Sequence, residues 1–299
     1  MLDRMRRLQF GVSWWRLPGA FLVALVGCSF PAGGATPGTD ASGDASRPLA
    51  DGVQPDGRPP TVPCAAADLN GAALCLEFED DVLDGVLLDS LSKHDAIATG
   101  LQATTRPNGP APSNAADIGV AASVRVVEDP EFDLHTAYTL SMWLNPHQLP
   151  PSGQVMGLFD RETQVAMVIG SDPDDGSAGA VLCIHTGMAR REWTIDVPVD
   201  TWSFVACTWN DSTKEMCAAR WSGPLDHQYF CNTMGQTPTG AGTRGLAIGH
   251  LSANGAATAR LDGSIDSAMV WRRSLAADEL CALAGVSAGC LPCDAGSCQ

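Results

Sequence analysis

Residues 138–146 read YTLSMWLNP, and this stretch decides the fold. From Tyr138 to Leu144 the side chains alternate between two rows, which is the period of a β-strand with two different faces. One row can pack into a core while the other faces a second layer. Residues 122–127, ASVRVV, alternate in the same way. Both segments are therefore predicted to be strands.

The other candidate strands are short, and turn-forming residues separate them. Clusters of Asn, Asp, Ser, Pro and Gly lie at 108–110, 173–176 and 222–224. This pattern of short strands separated by turn residues predicts an all-β sandwich or barrel. One short helix is predicted near the C-terminus, with Ser274 as its N-cap and Gly285 as its stop. The further candidate strands are 154–160, 165–170, 180–186, 192–197, 203–209, 215–222, 228–232, 244–249 and 264–271.

Three ordered segments resemble a known family. They are residues 138–146, then TWSFVACTW at 201–209, then a series comprising LAIG at 246–249, LDGSID at 261–266, VWRRSL at 270–275 and DEL at 278–280. Together they resemble the laminin G-like domains of the concanavalin A-like, pentraxin-related class. The resemblance covers about residues 72–284. It implies an antiparallel concanavalin A-like jelly-roll sandwich, here assigned to residues 64–299.

The N-terminus carries an export signal. Four arginines precede an apolar stretch of about ten residues at 17–26, which is too short to span a bilayer. The following LVGC at 25–28 resembles the lipobox of bacterial lipoproteins, which implies removal of residues 1–27 and lipidation of Cys28. An ordinary secretory signal that leaves a free thiol is the alternative. Arg6 and Arg7 also suggest twin-arginine export, but the residues that follow match that motif poorly.

Residues 28–63 are rich in Pro, Gly, Ala, Ser, Thr and Asp. Such a composition cannot bury enough apolar surface to offset ordering, so we expect a disordered tether. A plain interdomain linker is the alternative. The arrangement predicts a domain held at the bacterial cell envelope by an N-terminal lipid. Ser29 after Cys28 favours the outer membrane or the cell surface.

The charge of the chain excludes one class of partner. The net charge is −16 and becomes −19 without residues 1–27, which hold four arginines and Asp3. Nucleic acid and anionic membrane surfaces would repel a protein this acidic. We therefore expect no nucleic-acid partner.

Eleven cysteines indicate disulfides outside the reducing cytoplasm, because ten remain once Cys28 is lipidated. A hairpin centred on Ser212 would place Cys207 opposite Cys217, and one centred on Pro224 would place Cys217 opposite Cys231. With Cys183, three pairings stay open. Pentraxins have a cysteine in the slot of Ala206, so their disulfide is not carried over.

The remaining cysteines lie near the two ends of the domain. We expect disulfides across the termini to clip the sandwich shut. A zinc site built on Cys290 and Cys293 is the alternative. The cysteines in this group are Cys64, Cys75, Cys281, Cys290, Cys293 and Cys298.

Calcium is the one cofactor that the resemblance implies. Lectin-like jelly rolls hold it through carboxylates and backbone carbonyls, as a hard cation prefers. The candidate ligands by position are Glu79, Asp89 and Asp266. Solvated turn acids are the alternative interpretation.

Catalytic patterns are weak in this chain. Glycoside hydrolases of this class carry Glu-x-Asp-x-x-Glu on a strand, whereas here Glu77 and Glu79 are followed by Val82 in the third slot. None of the histidines shows metal-ligand spacing or an apparent pairing with a nucleophile. They are His94, His135, His147, His185, His227 and His250.

The sequence therefore predicts a non-catalytic, membrane-anchored module that recognises a carbohydrate or a cell-surface protein. A polysaccharide hydrolase of the β-glucan type and a purely structural envelope protein are the alternatives. Trp202 and Trp209 are expected in the core. As an alternative, one or two of the tryptophans would line a sugar platform.

Overall fold

A computed structural model describes residues 64, 70–79, 85–107, 113–119, 121–162, 164–171, 178–185, 195–223, 226–234, 237–238, 240, 242, 244–253 and 255–286. The predicted signal peptide, Cys28 and the predicted tether lie outside the described residues. So do Cys290, Cys293 and Cys298.

Two antiparallel sheets dominate the described residues. The first, sheet A, has the order β13-β12-β11-β7-β17-β5-β4, and β1 also pairs with β17. Its long central strands contain residues 138–146 and 264–271, both of which the sequence predicts to be strands. Its strands are β1 Ala72–Leu76, β4 Gln102–Arg106, β5 Ser113–Ile118, β7 Ala137–Pro146, β11 Ser203–Asn210, β12 Glu215–Gly223, β13 Asp226–Thr233 and β17 Gly263–Trp271.

The second sheet, sheet B, has the order β10-β9-β8-β14-β6-β3-β2. Its strands are β2 Val86–Leu87, β3 Ala96–Thr99, β6 Ser123–Val126, β8 Val155–Arg161, β9 Val165–Ser171, β10 Ala178–His185 and β14 Leu246–Ile248. A separate hairpin pairs β15 Leu251–Ala253 with β16 Ala256–Thr258. A 3-10 turn at Pro130–Phe132 and the helix α1 Ala277–Leu283 complete the described elements.

The core lies between the two sheets, and the alternation of β7 explains it. Leu140, Met142 and Leu144 join the main cluster of buried apolar residues, while Trp143 joins a second cluster on the outer face of sheet A. Residues of α1 cover part of that outer face, so both rows of β7 are buried. The predicted all-β sandwich with one short C-terminal helix is confirmed.

The prediction for the helix start was wrong. The N-cap is Ala276, two residues after Ser274, and it has no side-chain acceptor of its own. A Glu279 carboxylate oxygen instead accepts the backbone N–H of Ala276 at 2.8 Å. Beyond the helix, Gly285 has a φ of 72°, as a glycine that ends a helix requires. The predicted strand 192–197 is reduced to a bridge from Asp196 to Ala180, and residues 192–194 lie outside the described part.

Three disulfides lie in the described residues, as is typical of a protein folded outside the reducing cytoplasm. Cys217 is directly opposite Cys231 and bonded to it, with 4.0 Å between the Cα atoms. Cys207 bonds to Cys183 across 5.8 Å and so ties β11 of sheet A to β10 of sheet B. Of the three pairings left open, the structure selects this one.

The proposed opposition of Cys207 and Cys217 was wrong. The turn between β11 and β12 has four residues, 211–214, so Asn210 pairs with Glu215. Cys217 therefore pairs with Thr208, one residue away from the expected register. A shift of one residue reverses the face of a strand, so Cys207 points into the core and Cys217 points outward.

The expected clip across the termini was wrong for two of its cysteines. Cys64 bonds to Cys75, eleven residues away, with 6.3 Å between the Cα atoms. Cys281 in α1 is also disulfide-bonded. In the described residues, no helix combines the length and apolarity needed to cross a membrane.

Candidate functional site

The outer face of sheet A carries an aromatic row, but this row serves packing. The Trp143 ring lies 6.0 Å from Phe204 and 5.9 Å from Trp221, edge-to-face in both cases. Trp143 is fully buried, and so are Trp209 and Trp271. Trp221 is partly buried, and it is the most exposed of the described tryptophans. The expected core role of Trp202 and Trp209 is confirmed, and these rings form no sugar platform.

Asp266, a candidate calcium ligand, lies at the centre of a buried ion pair on this face. Its Oδ2 accepts Arg106 Nε at 2.6 Å and Ser113 Oγ at 2.5 Å, and its Oδ1 accepts Ser267 Oγ at 3.0 Å. Burial pushes the pKa of Asp266 upward, while Arg106 and the hydroxyl donors oppose that shift. The Arg106 guanidinium also stacks 4.6 Å above the Trp143 ring. Protein donors thus already occupy both oxygens of this carboxylate.

The other two calcium candidates lie at separate places. Asp89 accepts four backbone N–H groups, from Cys75, Leu91, Lys93 and His94, at 2.8 to 3.2 Å. Through these hydrogen bonds, Asp89 stabilises the turn that follows it. Glu79 accepts a long hydrogen bond of 3.4 Å from the Asn114 N–H. Burial raises its pKa, and the nearby Asp266 and Glu77 raise it further.

These three carboxylates do not form a cation cage in the described residues. The groups whose donor atoms lie within 4.8 Å of one another include none of them. The two groups that meet this distance each contain a disulfide-bonded cysteine pair, so their sulfurs are not available as thiolates. Calcium binding through Glu79, Asp89 and Asp266 stays a prediction.

The acid pair considered for hydrolysis has structural partners. Glu77 Oε1 accepts the Cys64 N–H at 3.3 Å, and its Oε2 accepts Ser90 Oγ at 2.6 Å. Phe78 between the two glutamates is buried and has a φ of 57°, so the strand ends before it. Glu77 and Glu79 therefore do not continue the alternation of a regular strand.

One histidine lies beside a serine, a residue type that can act as a nucleophile. The spacing of these residues in the sequence did not predict this contact. His147 Nε2 is 3.4 Å from Ser264 Oγ, and its Nδ1 is 3.6 Å from Asp262 Oδ1. The pairing of β7 with β17 brings these distant positions together. Ser264 is only 3% exposed, so its hydroxyl is not open to a substrate.

An open groove of about 740 Å³ lies on the outer face of sheet B. Strand alternation places its residues there: Ile97 pairs with Arg125, and Thr99 pairs with Ser123, so all four point to one face. Ile97 and Val127 are 57% and 65% exposed, which is unusual for large apolar side chains in a sandwich. The groove is lined by Ile97, Thr99, Ser123, Arg125, Val126, Val127, Glu128, Arg244, Gly245 and Gly255.

The β15–β16 hairpin borders this groove through Gly255 at its turn. The backbone N–H of Gly157 in β8 donates to the Ala259 carbonyl at 2.7 Å, which holds the chain that follows the hairpin on sheet B. A Cβ at Gly157 would lie 2.3 Å from the His250 carbonyl carbon and 2.4 Å from the Leu251 nitrogen. Only glycine permits this approach of two backbones. At the hairpin turn, the Gly255 carbonyl accepts Arg125 Nη1 at 3.0 Å.

Two carboxylates hold the base of the same hairpin. Asp160 Oδ2 accepts the Ser252 N–H at 2.6 Å, and Glu162 Oε2 accepts Ser252 Oγ at 3.3 Å. The pKa of Asp160 is raised to about 6, chiefly by burial and to a smaller extent by Glu162, while the hydrogen bond from Ser252 opposes the shift. Asp160 is 7% exposed, so it supports the wall of the groove and does not line it.

Salt bridges fix the opposite side. Arg161 is almost fully buried and pairs with Glu128 through both guanidinium Nη groups. It also donates to the Gly242 carbonyl at 2.8 Å. Arg244 is 42% exposed and lies 3.6 Å from Glu162. The groove thus has fixed walls, exposed apolar side chains, two hydroxyls and two exposed guanidinium groups.

A two-sheet antiparallel sandwich with an open groove on one face defines a lectin-like β-sandwich domain. The family model for the concanavalin A-like lectin/glucanases superfamily, of the laminin G type, matches residues 119–281, which is more than half of the chain. The chain belongs to this family. None of the curated proteins compared with the chain matches it.

Solved structures share the fold at low sequence identity. Domain 4 of AbnA, a GH43 extracellular arabinanase from Geobacillus stearothermophilus solved in complex with arabinotriose, has a TM-score of 0.52 and 14% identity. That match covers 71% of this chain and 98% of the arabinanase domain. The binding domain of Paraclostridial Mosquitocidal Protein 1 has a TM-score of 0.51 and 11% identity, over 71% of this chain and 51% of the toxin fragment. At these identities the likeness concerns the fold alone.

The groove residues were not predicted as a site from the sequence. They come from β3, β6 and the chain around β14 to β16, which are distant in sequence and share no motif. The segment ASVRVV at 122–127 does contain one indication of this site, because its alternation places Ser123, Arg125 and Val127 on the same face of the strand. Sequence alone does not say that this face stays open.

Proposed function

We propose that the groove on sheet B binds a carbohydrate chain, so that the protein acts as a non-catalytic glycan-recognition module. The groove itself is the observation that carries the proposal. Its volume of about 740 Å³ lies in the range of sites for small ligands and short oligomers. A protein partner of ordinary affinity would need about 800 Å² of contact surface.

The chemistry of the lining suits a sugar. Ile97 and Val127 offer exposed apolar surface for the C–H faces of a pyranose or furanose ring. Thr99 and Ser123, whose hydroxyl oxygens are 2.8 Å apart, offer donors and acceptors for sugar hydroxyls. The arabinanase domain, which shares this fold, was solved with arabinotriose, which is consistent with a sugar ligand here.

Anchoring at the cell envelope is the second part of the proposal. The lipobox-like LVGC at 25–28 and the composition of residues 28–63 support a lipid on Cys28 and a flexible tether. The disulfides agree with an exported domain. A lectin-like domain on a tether would reach glycans of the cell's own envelope or of its surroundings.

A glycan array with the full chain tests the binding proposal. We expect binding to a defined set of oligosaccharides, and a loss of about tenfold in affinity for the double variant Ile97→Thr, Val127→Thr, because apolar contact with the ring faces is removed. Val199→Thr is the matched control, since Val199 is 38% exposed but does not line the groove. The proposal fails if no glycan binds, or if the double variant binds as tightly as the wild-type protein does.

The same samples separate the alternative functions. Release of reducing ends from a bound polysaccharide would replace recognition by hydrolysis as the function. A protein that binds no glycan but is required for envelope integrity would fit the structural role. We expect bound glycans to be recovered intact.

A further inference from the structure

Two arginines converge on one small space at the edge of the groove. A Cβ placed on Gly255 would lie 2.5 Å from Arg244 Nη1 and 4.0 Å from Arg125 Nη2. Both guanidinium groups therefore border the volume that a side chain at Gly255 would fill. Because residue 255 is a glycine, with a φ of 80°, the mobile end of Arg244 lies partly in this volume and would move aside when a ligand enters.

Of the two arginines, Arg125 has no carboxylate partner among the described residues, whereas Arg244 forms a salt bridge with Glu162. Arg125 is exposed, and its one hydrogen bond among the described residues goes to the neutral Gly255 carbonyl. Arg244 has Glu162 at 3.6 Å, a distance beyond a normal hydrogen bond. Two like charges held side by side repel each other, and an anion between them would remove that repulsion.

We propose that this space, which we call the Gly255 cradle, binds an anionic group on the glycan, so that the ligand is an acidic polysaccharide. The inference rests on the proposed function and adds the ligand class to it. Guanidinium groups recognise carboxylates and sulfates through paired N–H donors of fixed geometry. A ring whose C–H face lies on Ile97 and Val127 would carry its acidic substituent toward Arg125 and Arg244.

Other anions fit this site less well. Among the described residues that line the groove, none carries an aromatic ring on which a nucleic-acid base could stack. The net charge of −16 opposes the approach of any polyanion, an acidic polysaccharide included. Salt screens distant charges beyond about 8–10 Å, so the cradle can still attract one acidic group at close range.

Binding measurements on the full chain test the inference with three polymers: polygalacturonate, its fully methyl-esterified neutral form, and a sulfated galactan. We expect an acidic polymer to bind at least about tenfold more tightly than the neutral one. Comparison of the carboxylated and sulfated polymers identifies the anion. The double variant Arg125→Gln, Arg244→Gln should remove this preference, because affinity for the acidic polymer should fall at least about tenfold more than affinity for the neutral polymer. Arg272→Gln, which changes an exposed arginine outside the groove, is the control.

A second pair of variants gives a readout without any ligand. Gly255→Asp would place a carboxylate in the cradle, while Gly255→Asn supplies a neutral side chain of the same size. Both residue types tolerate a positive φ, and the nearest atom is the mobile end of Arg244. We expect a higher melting temperature for the Asp variant than for the Asn variant, together with weaker binding of acidic polymer.

The outcomes separate the two proposals. Equal affinity for acidic and neutral polymers, unchanged by the arginine substitutions, would overturn the inference and leave glycan recognition intact. Equal melting temperatures of the two Gly255 variants would also overturn it. If no polymer binds, the glycan proposal falls, and the inference that rests on it falls as well.

Discussion

Asp160 is a buried carboxyl group whose pKa departs clearly from its ordinary value. It is buried under the β15–β16 hairpin with the Ser252 N–H as its donor. Its pKa rises from 3.8 to about 6 because burial disfavours the charged form. The native state therefore holds this proton more tightly than the unfolded chain does. Stability is greatest below pH 4 for this group and falls as the pH rises through 6.

Asp160→Asn should remove this pH dependence. The amide oxygen can still accept the Ser252 N–H, and no charge needs to be buried. At pH 7.5 we expect the variant to be more stable than wild type by up to about 3 kcal/mol, and at pH 3.5 the two should differ little. Urea unfolding at both pH values measures this. Asp200→Asn, at an exposed turn, should show no such trend. Equal differences at the two pH values would contradict the account.

The β15–β16 hairpin is the element on which the groove depends. Its turn carries Gly255, its first strand begins at Leu251, and its base meets Asp160 and Gly157. The hairpin is short, and two strands alone have little stability of their own. Its position therefore depends on the contacts that it makes with sheet B.

Gly157→Ala should displace this hairpin. The added Cβ meets backbone atoms of residues 250 and 251, which cannot rotate away as a side chain can. We expect a loss of about 1–3 kcal/mol in unfolding free energy, as for other overpacked sites, together with weaker glycan binding. Thermal unfolding and the array measure the two effects. Gly119→Ala is the control, because nothing lies within 4 Å of its added Cβ. Similar behaviour of both variants would argue against the close approach.

At the scale of the whole molecule, sheet A and sheet B differ in how their outer faces are used. α1 and the segment around Cys64 and Cys75 pack on sheet A, where Trp143 and Trp271 are buried. Sheet B keeps Ile97 and Val127 exposed beside the groove. The Cys183–Cys207 disulfide joins the two sheets. This asymmetry favours sheet B as the binding face.

The proposed lipid anchor on Cys28 determines where the whole molecule is held in the cell. In the native host we expect the full chain in the membrane fraction, with an acylated N-terminal Cys28 by intact mass. Cys28→Ser should move it to the soluble fraction, because the acceptor sulfur of the lipid is lost, while glycan binding by the groove is unchanged. Ser29→Ala is the neighbouring control. An unacylated wild-type protein, or a Cys28→Ser protein that stays on the membrane, would refute the anchor.

The sequence alone determined the class of fold, because period-two alternation in 138–146 and the turn clusters are local properties that survive without tertiary contacts. It also restricted the cysteines to a few pairings, and the Cys217–Cys231 pair was among them. It did not determine the register of β11 against β12, because a difference of one residue in the length of the 211–214 turn moves each side chain to the opposite face of the strand. The groove was decided by the tertiary structure alone. Arg125, Arg244 and Gly255 come together only when β6, β14 and the hairpin are stacked, and whether the exposed face of β6 is covered depends on every element packed around it.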